Sequence, residues 1–88
     1  MTAGRIRLDT WLWVARFARS RRQAQELCAS GLIRVDGQRI SKPSREIRPG
    51  DVITLPRSRD VLLLKVIASA ERRGPPQEAR QLYEIIEG

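Results

Sequence analysis

The apolar period of this chain changes at Gly31, and that change sets the class of fold it can adopt. Before it, Leu8, Trp11, Leu12 and Ala15 recur at i, i+3, i+4 and i+7, the spacing that lines one face of a helix. After it, Ile33 and Val35 alternate with Arg34, the period of a strand. The first pattern predicts a helix over residues 7–18, with Trp13 and Phe17 on a second face beside Arg16. A second helix is predicted to begin at Ser20, because Ser20 and Gln23 form a capping-box pattern. Ala24, Leu27 and Cys28 share its apolar face. Gly31 suits the left-handed residue that ends it, with Leu32 as the following apolar contact. Asp36-Gly37 is a strong signal for a two-residue hairpin between residues 33–35 and 38–40. A basic connection follows at 42–48, then a turn at Pro49-Gly50-Asp51. Two more strands are expected at 52–55 and 61–67, separated by the loop 56–60. Beyond the loop 71–76, Ala79, Leu82, Tyr83 and Ile86 return to a helical spacing and predict a short C-terminal helix. The expectation is one α+β domain over residues 1–88.

Eighty-eight residues allow a single small core. Cys28 is the only cysteine and there is no histidine. No intrachain disulfide can form, a thiolate zinc site lacks its ligands, and a reducing compartment fits. Residues 1–7 lack the apolar stretch of a signal peptide. The apolar run at 61–64 stops at Lys65, far short of a membrane span. A soluble cytoplasmic protein without membrane contact is expected.

Charge points to the partner. Residues 1–48 hold eleven Lys+Arg and four Asp+Glu, whereas residues 49–88 hold six of each. The whole net charge of +7 therefore lies in the first part of the chain, the footprint expected for binding a polyanion. Only Lys42 and Lys65 are lysines. Arginine suits phosphate and stacks on bases through its planar fork. Arg21 and Arg22 stand in the first turn of the second helix, where the dipole disfavours cations by a few tenths to ~1 kcal/mol. A bound phosphate reverses that sign, because amides, dipole and guanidinium groups then converge on one anion. Arg19 precedes the cap and Arg16 lies one turn earlier. Any one of these arginines reads most simply as solvated surface charge. The four together read as a phosphate site.

Several pieces of the chain also resemble a known family. Arg7-Leu8-Asp9, Ser20-Arg21-Arg22-Gln23-Ala24, Val35-Asp36-Gly37, Lys42-Pro43-Ser44 and Arg48-Pro49-Gly50-Asp51 resemble, in that order and spacing, the RNA-binding domain (alpha-L motif) named after small-subunit ribosomal protein S-four. The resemblance covers about residues 7–55. It implies two helices packed on a small, bent antiparallel sheet. Residues 11–17, with Arg72-Arg73, Pro75 and Leu82-Tyr83-Glu84, look like the bacterial fifteen-kilodalton heat-shock subgroup. That likeness implies ribosome association: binding of free large subunits that hold a nascent chain on tRNA, and help in recycling them. Longer members carry a basic C-terminal extension, whereas this chain stops at Gly88. The family's RNA surface maps onto Arg7, onto the helix junction at Arg16, Arg19, Ser20, Arg21, Arg22 and Gln23, and onto the loop at Lys42 and Arg45, with Arg48 as a weaker candidate. The implied partners are structured rRNA or tRNA and the large ribosomal subunit, with no small-molecule substrate and no cofactor.

Other residues take plainer readings. Trp11 and Cys28 are expected in the core. Trp13 and Phe17 suit stacking on an unpaired base, but packing under the C-terminal helix against Tyr83 or Leu82 is the stronger expectation. Asp9 reads as a first-turn dipole partner ahead of a group that orients an arginine. Arg72 and Arg73 are ambiguous, with Glu71 and Glu78 nearby. Catalysis has no support: the chain offers no histidine, no paired-carboxylate motif and no nucleophile–base pair. The competing reading is a DNA-binding helix-turn-helix protein that uses residues 21–30 as recognition helix. It needs base-reading side chains along that helix, yet the basic residues cluster at its start and Gln25 and Glu26 follow. A weaker third reading is a protein adaptor that uses Trp13 and Phe17.

Overall fold

Ser20 and Asp36-Gly37, the two strongest local signals, each produce the element they announce. The computed structural model describes residues 5–56 and 59–87. Its elements are β1 (Ile6–Arg7), α1 (Leu8–Val14), α2 (Arg21–Ala29), β2 (Arg34–Val35), β3 (Gln38–Arg39), β4 (Glu46–Ile47), β5 (Val52–Pro56), β6 (Val61–Val66), α3 (Pro76–Ala79) and β7 (Tyr83–Glu87). A 3-10 turn, Arg80–Leu82, joins α3 to β7. The main sheet is antiparallel in the order β3-β2-β5-β6-β7, and β1 pairs separately with β4, Ile6 opposite Ile47. The architecture is α+β, as expected.

The first helix ends at Val14, four residues before the expected boundary. Arg16 takes the left-handed conformation, φ 68°. The amide of Phe17 then donates to Leu12 O at 2.9 Å and that of Arg16 to Trp13 O at 3.1 Å. This is the six-to-one and five-to-two pattern of a Schellman motif, with arginine where glycine is usual. The chain bends over residues 15–20 and restarts as α2, where Ser20 Oγ accepts from the amide of Gln23 at 3.0 Å. The side chain of Gln23 reaches back one residue further than a capping box requires and accepts from the amide of Arg19 at 2.6 Å. At the other end Gly31 is left-handed as expected, φ 80°. Leu32 is 60% exposed, so it does not supply the expected apolar contact. Ser30 serves the helix end instead: its Oγ donates to Leu27 O and accepts from the amide of Leu32.

Asp36 and Gly37 have φ of 52° and 84°, the two positive values a type I′ hairpin demands. Asp36 Oδ1 also accepts from the amide of Val52 at 2.9 Å and ties the turn to β5. The paired strands β5 and β6 lie close to their expected limits; residues 57 and 58 of the loop between them fall outside the described residues.

The short C-terminal helix is present, but its expected run through Ile86 is not. Pro76 starts it at a position where a missing amide costs nothing. After Leu82 the backbone becomes extended at Tyr83, φ −149° and ψ 164°. β7 then pairs with β6, Tyr83 opposite Val66 and Ile85 opposite Leu64. Spacings of three and four residues suited both outcomes, and the free edge of β6 decides between them. The strands β1 and β4 went unread because two residues show no period.

Leu8, Trp11 and Leu12 of α1, Ala24 and Cys28 of α2, and Ile53 and Leu64 of the sheet are completely buried. Each leucine or isoleucine so placed contributes roughly 1.5–3 kcal/mol. The Trp11 indole N–H donates to Ala68 O at 2.9 Å, so even this ring is polar-satisfied. Burial, and secondarily the charge of Asp9, push the Cys28 thiol up to about 12. Among the described residues no helix is long and apolar enough to cross a membrane.

Candidate nucleic-acid interface

The ten expected site residues fall into two groups at opposite ends of α1. Its seven residues separate them by on the order of 10 Å along the helix axis. At the C-terminal end lies the elbow between the helices, with Arg16, Arg19, Ser20, Arg21, Arg22 and Gln23, all exposed. At the N-terminal end lie Arg7 and the segment that carries Lys42, Arg45 and Arg48.

The two helix starts differ in what they leave free. The first amides of α1 are taken by protein: Leu8 N donates to Arg45 O at 2.8 Å and Asp9 N to Pro43 O at 3.2 Å. The basic loop is thus fastened to α1 through its backbone, with Lys42 and Arg48 exposed and Arg45 half-buried. At α2 the cap serves Gln23. The amides of Arg21 and Arg22 have no protein acceptor among the described residues. Two free N–H groups, the positive dipole end and the neighbouring guanidinium groups make this elbow suited to an anion.

The arginines at the elbow are not equally loose. The Arg21 guanidinium lies 4.6 Å from the centroid of the Trp13 ring, within cation–π range. Among the described residues Arg22 makes only an exposed pair with Glu26, 3.5 Å and one turn on, which contributes little. Arg16 Nε donates to Gly74 O at 2.8 Å. Trp13 is half-buried, packed against the core cluster, with Arg21 on its ring. Phe17 meets its expected partner Tyr83, ring centroids 4.6 Å apart, but Tyr83 stands in β7 and not in a helix; the Trp11 ring lies 5.9 Å from Phe17.

At the other end, Arg7 Nε and Nη2 bind the two oxygens of Asp9 at 3.1 and 2.9 Å. Asp9 sits in the first turn of α1, but its main partner is this fork, so it orients Arg7 more than it serves the dipole. Burial alone would raise the Asp9 carboxyl. The Arg7 fork, the Thr10 amide and the Gln25 side chain outweigh that and hold it below its ordinary value. Lys42 and Arg45 line a shallow groove with Arg39, Ile40, Ser41 and Ser44, and no carboxylate lines it. Arg45 and Arg48 also border a second hollow with Arg5, Glu46 and Asp51. Arg5 pairs there with Glu46 at 3.6 Å, and the Arg48 amide donates to Asp51 Oδ2 at 3.1 Å. The first groove is the more purely cationic.

One contributor escaped sequence reasoning and another was left ambiguous by it. Arg39 stands opposite Arg34 across the hairpin, a like-charged pair that the register of Asp36-Gly37 was enough to reveal. Arg73 reaches the elbow from the distant loop before α3, and nothing local in the sequence signals it.

Comparison with known proteins identifies the family and the fold. A family model described as the S4 domain matches residues 6–53. Heat shock protein 15 of Escherichia coli (strain K12) is 42% identical over 79 residues, which cover 90% of this chain and 59% of the relative. Small ribosomal subunit protein uS4 of Thermodesulfovibrio yellowstonii is 39% identical over 72 residues, 80% of this chain and 35% of that one. A solved structure, described as the trimeric structure of Vibrio cholerae heat shock protein 15, superposes with a TM-score of 0.84 at 36% identity and covers 92% of this chain and 81% of that one. The chain spans less than two thirds of the length of the curated heat shock protein 15 relatives it matches. On the extent of these matches, the chain belongs to the S4-domain family and, within it, to the heat shock protein 15 group.

Proposed function

We propose that this chain binds structured RNA, ribosomal or transfer RNA, on the ribosome. Arg16, Arg19, Ser20, Arg21, Arg22 and Gln23 form one contact region, and Arg7, Lys42, Arg45 and Arg48 the other. The observation that carries the reading is the elbow, where four exposed arginines cluster about the start of α2, whose first two amides have no protein acceptor among the described residues. Membership of the S4-domain family and likeness to small-subunit ribosomal proteins support it. Two cationic regions on the order of 10 Å apart can each hold a phosphate of one folded RNA. A finer reading is engagement of free large subunits that carry peptidyl-tRNA, and their recycling; the names of the heat shock protein 15 relatives support its link to heat stress. α2 has only nine residues, and Gln25 and Glu26 follow its arginines, so major-groove readout of DNA is the poorer fit.

Replacing Arg21 and Arg22 together with Glu tests the reading. The double variant is expected to lose RNA binding by at least about a hundredfold while staying folded. The dipole gain at the helix start is offset by a new Glu–Glu repulsion with Glu26, so stability should move by less than about 0.5 kcal/mol. A folded double variant that binds RNA normally removes the elbow from the interface. Wild-type affinity for duplex DNA of equal length that matches its affinity for structured RNA favours the DNA reading.

A further inference from the structure

Arg73 and Gly74 lie twenty residues beyond the stretch that the S4-domain model matches, yet both are bonded to the elbow. Arg73 is half-buried, whereas Arg16, Arg19, Arg21 and Arg22 are exposed. Its Nε donates to Trp13 O at 2.9 Å and its Nη2 to Ala18 O at 3.3 Å. Those carbonyls stand on either side of the left-handed residue Arg16. The Arg73 guanidinium also lies 5.9 Å from the centroid of the Trp13 ring, on which Arg21 rests. The next residue, Gly74, gives its carbonyl to Arg16 Nε. Two adjacent residues thus hold the strained turn, the ring under Arg21 and the side chain of Arg16. With Nε spent on Gly74, the two terminal nitrogens of Arg16 have no protein partner among the described residues.

We infer that Arg73 is a positioning residue for RNA: with Gly74 it fixes Arg16 and Arg21 in the arrangement that meets phosphate, without contacting RNA itself. The inference rests on the RNA-binding reading above. A long side chain held in place before binding loses less freedom when the ligand arrives. Only a planar fork serves here. It reaches two carbonyls while lying against an indole, which a lysine ammonium cannot do.

The test compares Arg73→Lys and Arg73→Met, with Arg80→Met as the control for charge at an exposed arginine outside the elbow. Each protein is melted first and then titrated with tRNA over a range of salt. The Arg side-chain Nε–H signals are followed by NMR without RNA. Both Arg73 variants are expected to bind about tenfold more weakly, the share of two side chains no longer held, and to lose exchange protection at Arg16 Nε–H. Arg80→Met should lose less than about twofold, the scale of a distant surface charge. If Arg73→Met does not fold, Arg73→Lys, which keeps the charge and most of the bulk, carries the test. Wild-type affinity in Arg73→Lys overturns the inference, since charge alone then suffices. A salt slope shallower by about one in Arg73→Met also overturns it, because Arg73 then neutralises a phosphate directly. A wild-type chain that binds no tRNA defeats the RNA reading instead, and the Arg16 Nε–H signal still reports whether Arg73 holds that side chain.

Discussion

Arg16 holds a backbone conformation that glycine would adopt without strain. In an L-residue with a Cβ, the left-handed region costs on the order of 1–2 kcal/mol, and Arg16 sits there at φ 68°. Residues kept in such regions cluster at functional sites, where the surroundings impose them. Here the imposing contacts are the two Schellman hydrogen bonds, Arg73 on the flanking carbonyls and Gly74 on the side chain. Arg16→Gly should therefore leave stability unchanged or raise it by up to about 1 kcal/mol, the relieved strain partly offset by the lost bond to Gly74. The same substitution should weaken RNA binding. Thermal melting read beside RNA titration checks both, and a marked fall in melting temperature refutes the strain at this turn.

Elements in this chain begin where side chains say so and end where backbone geometry says so. The start of α2 was readable because Ser20 and Gln23 act within three residues of each other. The β2–β3 turn was readable because Asp-Gly accepts positive φ at both positions. Gly37→Val should cost about 1–3 kcal/mol, seen as a lower melting temperature with binding lost only in proportion to unfolding. A Cβ at Gly37 meets nothing within 4 Å, so this cost is conformational and not steric; an unchanged melting temperature contradicts it. The end of α1 was not readable, since Ala15 continues the apolar period and an arginine gave no hint of a left-handed turn. Nor was β7, whose apolar residues fit a helix as well as a strand until the edge of β6 recruits them. In the candidate site, the grouping of Arg16, Arg19, Arg21 and Arg22 was visible because they are close in sequence. The support from Arg73 was not, since it comes from 60 residues away.

Across the molecule, charge and architecture divide at nearly the same place. The basic part of the chain supplies α1, α2, the β2–β3 hairpin and the loop of Lys42 and Arg45. The neutral part supplies β5, β6, α3 and β7. If about four to six phosphates are neutralised by the two cationic regions, the log–log salt slope for RNA should be roughly −3 to −5. Co-sedimentation with free large ribosomal subunits should accordingly decline as salt rises and be competed by bulk tRNA. A flat salt response contradicts the electrostatic account. The neutral part is no passive appendage. Ile53 and Thr54 of β5 pair directly with Val35 and Arg34 of β2, and the indole of Trp11 donates to Ala68. A graft of residues 6–53 onto another protein would arrive with that indole N–H unanswered, at a cost of about 1–3 kcal/mol. Its last strand would be cut short and left without a neighbour on one side. Any host that borrows this candidate RNA surface must bring its own strand to stand in for β6 and its own acceptor for Trp11. What recurs between proteins as a motif is, in this chain, only part of what folds.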